Sequence, residues 1–237
     1  MIAMVCYLNI SILSLFNSSR MVWTFSRKKC RELDMPLLHQ ATMHSHVFGM
    51  TTYNRGSHGG TTTNQWFMTR VEEMGLAKYL RDAVFVDAGC GIGHLCLGVL
   101  SHFPTAKYWG FDIEEGRVSI AISRLISEIN NGRASISQID MMTSLDEGTV
   151  WSRLEREKAF IYYNNLNLIG EVNEAFQLIV LKYAKAGTII MALEALFLKD
   201  RRTRVDLIDR LDVEAGEGDF TWMRQKRTVK IFLYKVL

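Results

Sequence analysis

The sequence predicts an α/β fold whose sheet is mostly parallel and is closed by an antiparallel C-terminal hairpin. Three observations predict it. Short apolar, β-branched runs alternate with helical periodicity from residue 83 onward, the first of those runs ends in a glycine-rich turn at Gly89–Gly93, and the tail changes to an acidic glycine turn followed by aromatic and β-branched residues. Strands that are apolar on both faces and separated by helices belong to parallel sheets, because the crossover helices cover both faces.

Taken in order, Gln65–Leu80 places Trp66, Phe67, Val71, Met74 and Leu76 near helical spacing and predicts a helix. Ala83–Ala88 is a strand ending in glycine. The alternation continues with a helix near Gly93–His102, strand Tyr108–Ile113, helix Glu115–Asn130, strand Ala134–Ile139 and a helical turn near Val150–Arg156. Strand Phe160–Asn164, helix Glu171–Lys185 and strand Thr188–Ala192 complete the parallel part. In the tail, the pattern predicts a helix near Arg204–Leu211, an acidic turn at Glu214–Asp219, and two strands, Phe220–Trp222 and Val229–Val236, joined by Met223–Thr228 as a hairpin.

Composition limits the alternatives. With 237 residues, 48% hydrophobic and 22% charged, the chain has enough apolar surface for one large domain, which excludes wholesale disorder. Cys6, Cys30, Cys90 and Cys96 form no C-x-x-C pair, and Cys30, His39, His44 and His46 are not spaced as zinc ligands, so neither a metal site nor a disulfide framework is expected. Met1–Ser19 carries no charge, yet Asn9, Ser11, Ser14 and Asn17 interrupt its apolar run and no basic residue precedes it, so it reads as an arm rather than a signal or a membrane span. The expected organisation is an N-terminal arm and helical lead-in over residues 1–54 and one domain over 55–237.

The strongest local signal is Val86-Asp87-Ala88-Gly89-Cys90-Gly91-Ile92-Gly93, which runs from strand into helix and strips side chains where backbone approaches a ligand. A dinucleotide fingerprint starting at Gly89 and Gly91 would need glycine at His94, and the last glycine arrives one residue early at Gly93. Asp87 also stands where a pyrophosphate would sit, and a carboxylate beside a phosphate is unfavourable. A cationic ligand suits the turn better. S-adenosylmethionine carries a sulfonium and an ammonium, so Asp87 is expected to pair with the ammonium while Gly89, Gly91 and Gly93 line the turn. Asp112, ending the second strand, is placed for the ribose hydroxyls, and Asp140 and Met141, after the third, for the adenine.

The fourth strand ends Tyr162-Tyr163-Asn164-Asn165-Leu166-Asn167-Leu168, and strand ends in such sheets face the ligand crevice. There is no proline pair of the kind that holds a flipped base, and no histidine or metal cluster stands beside Asn164. V-D-A-G-C-G-I-G-H, G-F-D at Gly110–Asp112, I-D-M at Ile139–Met141, Y-N-N-L-N-L at Tyr163–Leu168 and D-F-T-W at Asp219–Trp222 together resemble the disruptor-of-telomeric-silencing family of histone lysine methyltransferases, which lack a SET domain. The chain looks like a compact, kinetoplastid-like member.

The resemblance implies the class I S-adenosylmethionine-dependent methyltransferase fold with a seven-stranded sheet, and transfer of methyl groups to a lysine in the globular core of histone H3 within nucleosomes. By position, Asp87, Gly89, Gly91, Asp112, Asp140 and Met141 bind the cofactor, Asn164 lines the lysine channel beside the transferring methyl, and Leu166, Leu168 and Trp222 form its apolar walls. Thr61, in Gly59-Gly60-Thr61-Thr62, is the expected loop residue over the methionine moiety. The family's Tyr-Gly-Glu-Thr element is His58-Gly59-Gly60-Thr61 here, and leucines replace the phenylalanines after the paired asparagines. A nuclear monomer with no membrane contact is expected. Lys199, Arg201, Arg202 and Arg204, with Arg224, Lys226, Arg227 and Lys230, are its candidate contacts to nucleosomal DNA. The alternative reading is a class I methyltransferase acting on a non-histone protein, an RNA or a small molecule.

Overall fold

Thr63 starts the first helix. Its side chain accepts a hydrogen bond from the Trp66 N–H at 3.3 Å, satisfying one of the donors that a helix N-terminus leaves open. Gly75 stops it: its own N–H donates to the Glu72 carbonyl and that of Leu76 to the Val71 carbonyl, a double-bonded end that needs the left-handed backbone (φ 63°) glycine adopts freely. The helix expected over Gln65–Leu80 is therefore two, α1 (Asn64–Glu73) and α2 (Ala77–Leu80).

The computed structural model describes residues 62–166, 168–196, 204–216, 218–220 and 223–237. The expected boundary at residue 54 and the apolar stretch Met1–Ser19 lie outside them. After α2 come β1 (Val84–Ala88), α3 (His94–His102), β2 (Lys107–Asp112), α4 (Glu115–Arg124), α5 (Ile126–Asn130) and β3 (Ala134–Gln138). There follow α6 (Gly148–Arg156), β4 (Ala159–Tyr163), α7 (Gly170–Tyr183), β5 (Ile189–Ala192), β6 (Val205–Ala215) and β7 (Arg227–Val236). The single helix expected over Glu115–Asn130 is interrupted at Leu125, a buried residue that packs against the glycine turn.

The sheet has seven strands in the order β3-β2-β1-β4-β5-β7-β6. β1 to β5 are parallel, and β7 runs antiparallel between β5 and β6. The chain builds outward from β1 to β3 and then returns to place β4 on the other side of β1. The crevice at that reversal, at the carboxyl ends of β1 and β4, is where open α/β sheets bind ligands.

Burial on both faces follows from the apolar strands: β1, β4 and β5 are buried throughout. One apolar cluster gathers α1, α2 and α3 against the sheet and the other gathers α6 and α7. Within the first, the Phe67 ring meets Phe85 at 5.3 Å and Tyr162 at 5.1 Å, edge to face, so α1 is fixed on the two strands that flank the crevice.

The tail corrects the sequence reading. Arg204–Leu211 is not a helix but the first part of β6, whose 11 residues pair with β7. Val205, Ile208 and Leu211 recur every third residue and mimic a helical face. A bulge between Leu207 and Asp209 accounts for that spacing, since the extra residue turns the strand over. Val205 then belongs to one cluster and Val213 and Ala215 to the other. The expected strand Phe220–Trp222 is reduced, among the described residues, to an isolated antiparallel bridge between Phe220 and Thr62. The C-terminal hairpin is thus β6 with β7.

Candidate active site

The glycine turn leaves β1 at the reversal point. Phe111 of β2 holds it down, its carbonyl accepting from both the Gly89 and the Cys90 N–H at 2.9 Å. Gly89 and Gly93 both have positive φ, 83° and 72°, but for different surroundings. A Cβ on Gly93 would lie 2.9 Å from Leu125 Cδ1, so packing forbids a side chain there. A Cβ on Gly89 would meet nothing within 4 Å, and Gly89 is exposed. Gly89 thus presents bare, exposed backbone at the reversal point.

Asp87 stands at the base of this turn and is 4% exposed. The Tyr108 hydroxyl donates to its Oδ2 at 2.7 Å. Burial pushes the Asp87 carboxyl up to about 7, against the Tyr108 hydrogen bond that draws it down and with the charge of Asp112 adding to the rise. The expected counter-ion is thus a buried group poised between neutral and ionised forms.

Asp112 ends β2 and is also buried. Its Oδ2 accepts from the Gly91 N–H at 3.0 Å, and its Oδ1 accepts from the Glu114 N–H at 3.0 Å and from Arg117 Nη2 at 2.8 Å. A carboxylate has about four acceptor positions, so these bonds leave room for one ligand hydroxyl rather than a pair. Asp112 therefore organises the turn and the start of α4.

Ile139 bonds back to the Asp112 carbonyl, which sets the next loop beside it. Asp140 Oδ1 accepts from the Met142 N–H at 2.9 Å and the Asp140 carbonyl accepts from Ser144, so Asp140 closes a turn. Met141 is half-buried against the cluster that contains Phe111 and Trp151.

The adjacent asparagines part company. Asn165 is fully buried, its Oδ1 accepting from the Leu193 and Glu194 N–H groups at 3.0 and 2.8 Å and its Nδ2 donating to Asn173 and to the Glu194 carbonyl. It fastens the end of β5 to the end of β4. Asn164 is half-exposed and bonds through Nδ2 to Thr62 Oγ1 at 3.2 Å, and Thr62 Oγ1 lies 2.6 Å from the Tyr162 hydroxyl. Asn164 is therefore the less buried of the two, just past the carboxyl end of β4.

Leu166 packs on the cluster under α1 and Leu168 on the cluster under α6 and α7, so the two do not share one packing surface. Thr61 and Trp222 lie outside the described residues, as do Lys199, Arg201 and Arg202. Of the other basic residues, Arg204, Arg224, Lys226, Arg227 and Lys230 are exposed, and Lys230 sits opposite Asp212 of β6.

Sequence reasoning missed Tyr108, Arg117, Thr62, Tyr162 and Glu194. Arg117 carried a signal, lying one helical turn beyond the Glu114 cap, whereas Tyr108 and Thr62 reach the site only through strand register and a contact between residues 100 positions apart. Glu194, exposed at the rim past β5, has its carboxyl raised by partial burial, opposed by Arg227. Among the described residues no group of three His, Cys, Asp or Glu side chains is placed to hold a metal, and no helix is long and apolar enough to cross a membrane.

No protein-family model and no curated protein matches the sequence. Solved structures do. A protein described in the conversion of a disulfide bond into a thioacetal group during echinomycin biosynthesis superposes with a TM-score of 0.52 at 13% identity, covering 81% of this chain and 92% of that one. TrmN from Thermus thermophilus superposes at 0.50 and 16% identity, over 69% of this chain and 47% of that one. What these structures share with the chain is the fold, a seven-stranded α/β sheet that is parallel except at its C-terminal end. An RNA methyltransferase from Salinibacter ruber in complex with S-adenosyl-L-homocysteine aligns at 0.47 and 15% identity, over 71% of this chain and 90% of that one.

Proposed function

We propose that the chain is a class I methyltransferase that binds S-adenosylmethionine across the carboxyl ends of β1, β2 and β3 and methylates an acceptor held at the end of β4. The observation that carries this reading is the turn at the reversal of strand order, with open space at Gly89 and the carboxyl of Asp87 buried at its base. The donor set suits a cation. Asp87 would meet the ammonium, Asp112 would take one ribose hydroxyl, and Asp140 and Met141 would hold the adenine.

When bound, the cofactor supplies a methyl group on a sulfonium, whose bond to sulfur breaks as the bond to the acceptor forms, sulfur keeping the electron pair and the acceptor losing a proton. The protein's tasks are alignment and exclusion of water. Asn164 would orient the acceptor, and Leu166 would give an apolar surface beside it.

For the acceptor, the broader reading has the better support: a non-histone protein, an RNA or a small molecule. A lysine of nucleosomal histone H3, with a nuclear location and DNA contacts through the basic tail, rests on the sequence resemblance. Calorimetry with S-adenosyl-L-homocysteine tests the donor site, and binding is expected; no heat of binding would remove the reading. Radiolabelled methyl transfer offered in parallel to nucleosomes, free histones and total RNA separates the acceptors, label on nucleosomes alone restoring the histone reading.

A further inference from the structure

The ring of Tyr108 reaches Asp87 along a path that the sheet keeps clear. In the register of β1 with β2, Asp87 is the cross-strand partner of Gly110, and Tyr108 precedes Gly110 by two residues on the same face. A Cβ on Gly110 would lie 2.8 Å from Tyr108 Cε1, so a side chain at that position would displace the ring. Bare backbone at Gly110 lets the phenol lie across it and place its hydroxyl 2.7 Å from Asp87 Oδ2. Both residues are almost wholly buried, Tyr108 to 1% and Asp87 to 4% exposure, so water does not compete for this bond.

We infer that Tyr108 is a positioning residue for the methyl donor: through Gly110 it holds the Asp87 carboxylate in the ionised form and orientation that the donor's ammonium requires. The inference rests on the reading of the crevice as a donor site and deepens it. The donor's cation and the buried carboxyl are then linked. The protein binds the donor well only where Asp87 has lost its proton, and the Tyr108 hydrogen bond, made to the charged form, brings that loss to lower pH.

The charged and titratable groups around Asp87 are Tyr108 and Asp112 of β2, Cys90 of the turn, Cys96 of α3, Tyr162 of β4, and Arg117 of α4 acting on Asp112. Burial pushes the two thiols and the two phenols upward, so none of them ionises near neutral pH. Asp112 keeps its charge partner Arg117 at 2.8 Å. Asp87 is therefore the member of this group whose ionisation falls in the neutral range.

The test is calorimetric titration with S-adenosyl-L-homocysteine between about pH 5.5 and 8.5, comparing the wild-type protein with Tyr108→Phe, which keeps the ring and removes the donor. Wild-type affinity is expected to rise with pH. In Tyr108→Phe the rise moves to higher pH, weakening binding about tenfold near pH 7, as expected for a hydrogen bond to a charged group, and the loss shrinks as the pH is raised. Asp87→Asn, the second variant, should bind weakly and without the rise. A pH midpoint common to wild type and Tyr108→Phe, or a loss equal at every pH, overturns the inference. No binding by the wild type at any pH removes the donor reading itself.

Discussion

Asp112 and Arg117 form a buried ion pair, guanidinium to carboxylate at 2.8 Å, with both side chains 6% exposed. The same carboxylate takes the Gly91 N–H, so the pair ties the glycine turn, the end of β2 and the start of α4 into one unit.

Removing the arginine leaves Asp112 charged and buried with backbone donors alone. Arg117→Ala should cost about 3–5 kcal/mol, the usual result of breaking a buried pair from one side. Thermal or denaturant unfolding measures it. A loss within the range of ordinary surface substitutions, about 0.5 kcal/mol, would mean that the pair does not hold the turn.

Stability should depend on pH through Asp87. Its folded pKa, pushed up to about 7, lies above the ordinary aspartate value of 3.8, so the folded state holds a proton that the unfolded state has released between these values. The stability this contributes is complete below the unfolded pKa and is lost as pH rises through about 7. His94 acts in the opposite sense: burial, with Arg124 adding, lowers it to about 4, so its contribution is lost as pH falls from 6.5 toward 4. The difference between the wild type and Asp87→Asn isolates the carboxyl. The variant should match the wild type near pH 4 and exceed it above pH 7 by a margin on the order of 4 kcal/mol at most. Unfolding curves that stay parallel from pH 4 to 8 would contradict this.

Gly89 and Gly93, two of the three positive-φ glycines of the turn, separate packing from ligand access. Gly93→Ala should destabilise by roughly 2–4 kcal/mol, combining left-handed strain with the contact on Leu125. Gly89→Ala meets open space, so only the strain of about 1–2 kcal/mol remains, while the new methyl enters the crevice. Its loss of S-adenosyl-L-homocysteine affinity should exceed that of Gly93→Ala once both are assayed well below their unfolding temperatures. The reverse order would place the ligand elsewhere.

Asn164 and Asn165 should behave as different residues. Asn165→Ala strands the buried Leu193 N–H, at a cost of about 1–3 kcal/mol, and frees the part-buried Glu194 N–H, which water can reach at smaller cost. Asn164→Ala should leave the unfolding transition and donor affinity nearly unchanged and abolish methyl transfer to whichever acceptor takes label. Normal turnover in Asn164→Ala would withdraw that residue from the reaction.

The strand and helix order from Ala83 to Ala192 was legible in the sequence because each strand is apolar on both faces and each helix shows its own period, both properties of neighbouring residues. The glycine turn and the acids at Asp87, Asp112 and Asp140 were legible for the same reason, since each sits at the end of a run that announces itself. The tail was not, because a bulge in β6 shifts the period and local spacing then resembles a helix. Register decided the rest. It set Tyr108 on Asp87 across Gly110, brought Thr62 to Asn164 over 102 residues, and left one asparagine of an identical pair half-buried and the other in the core. Those pairings are contacts between distant parts of the chain, and a local pattern of residue types carries no information about which distant group a buried polar atom will find.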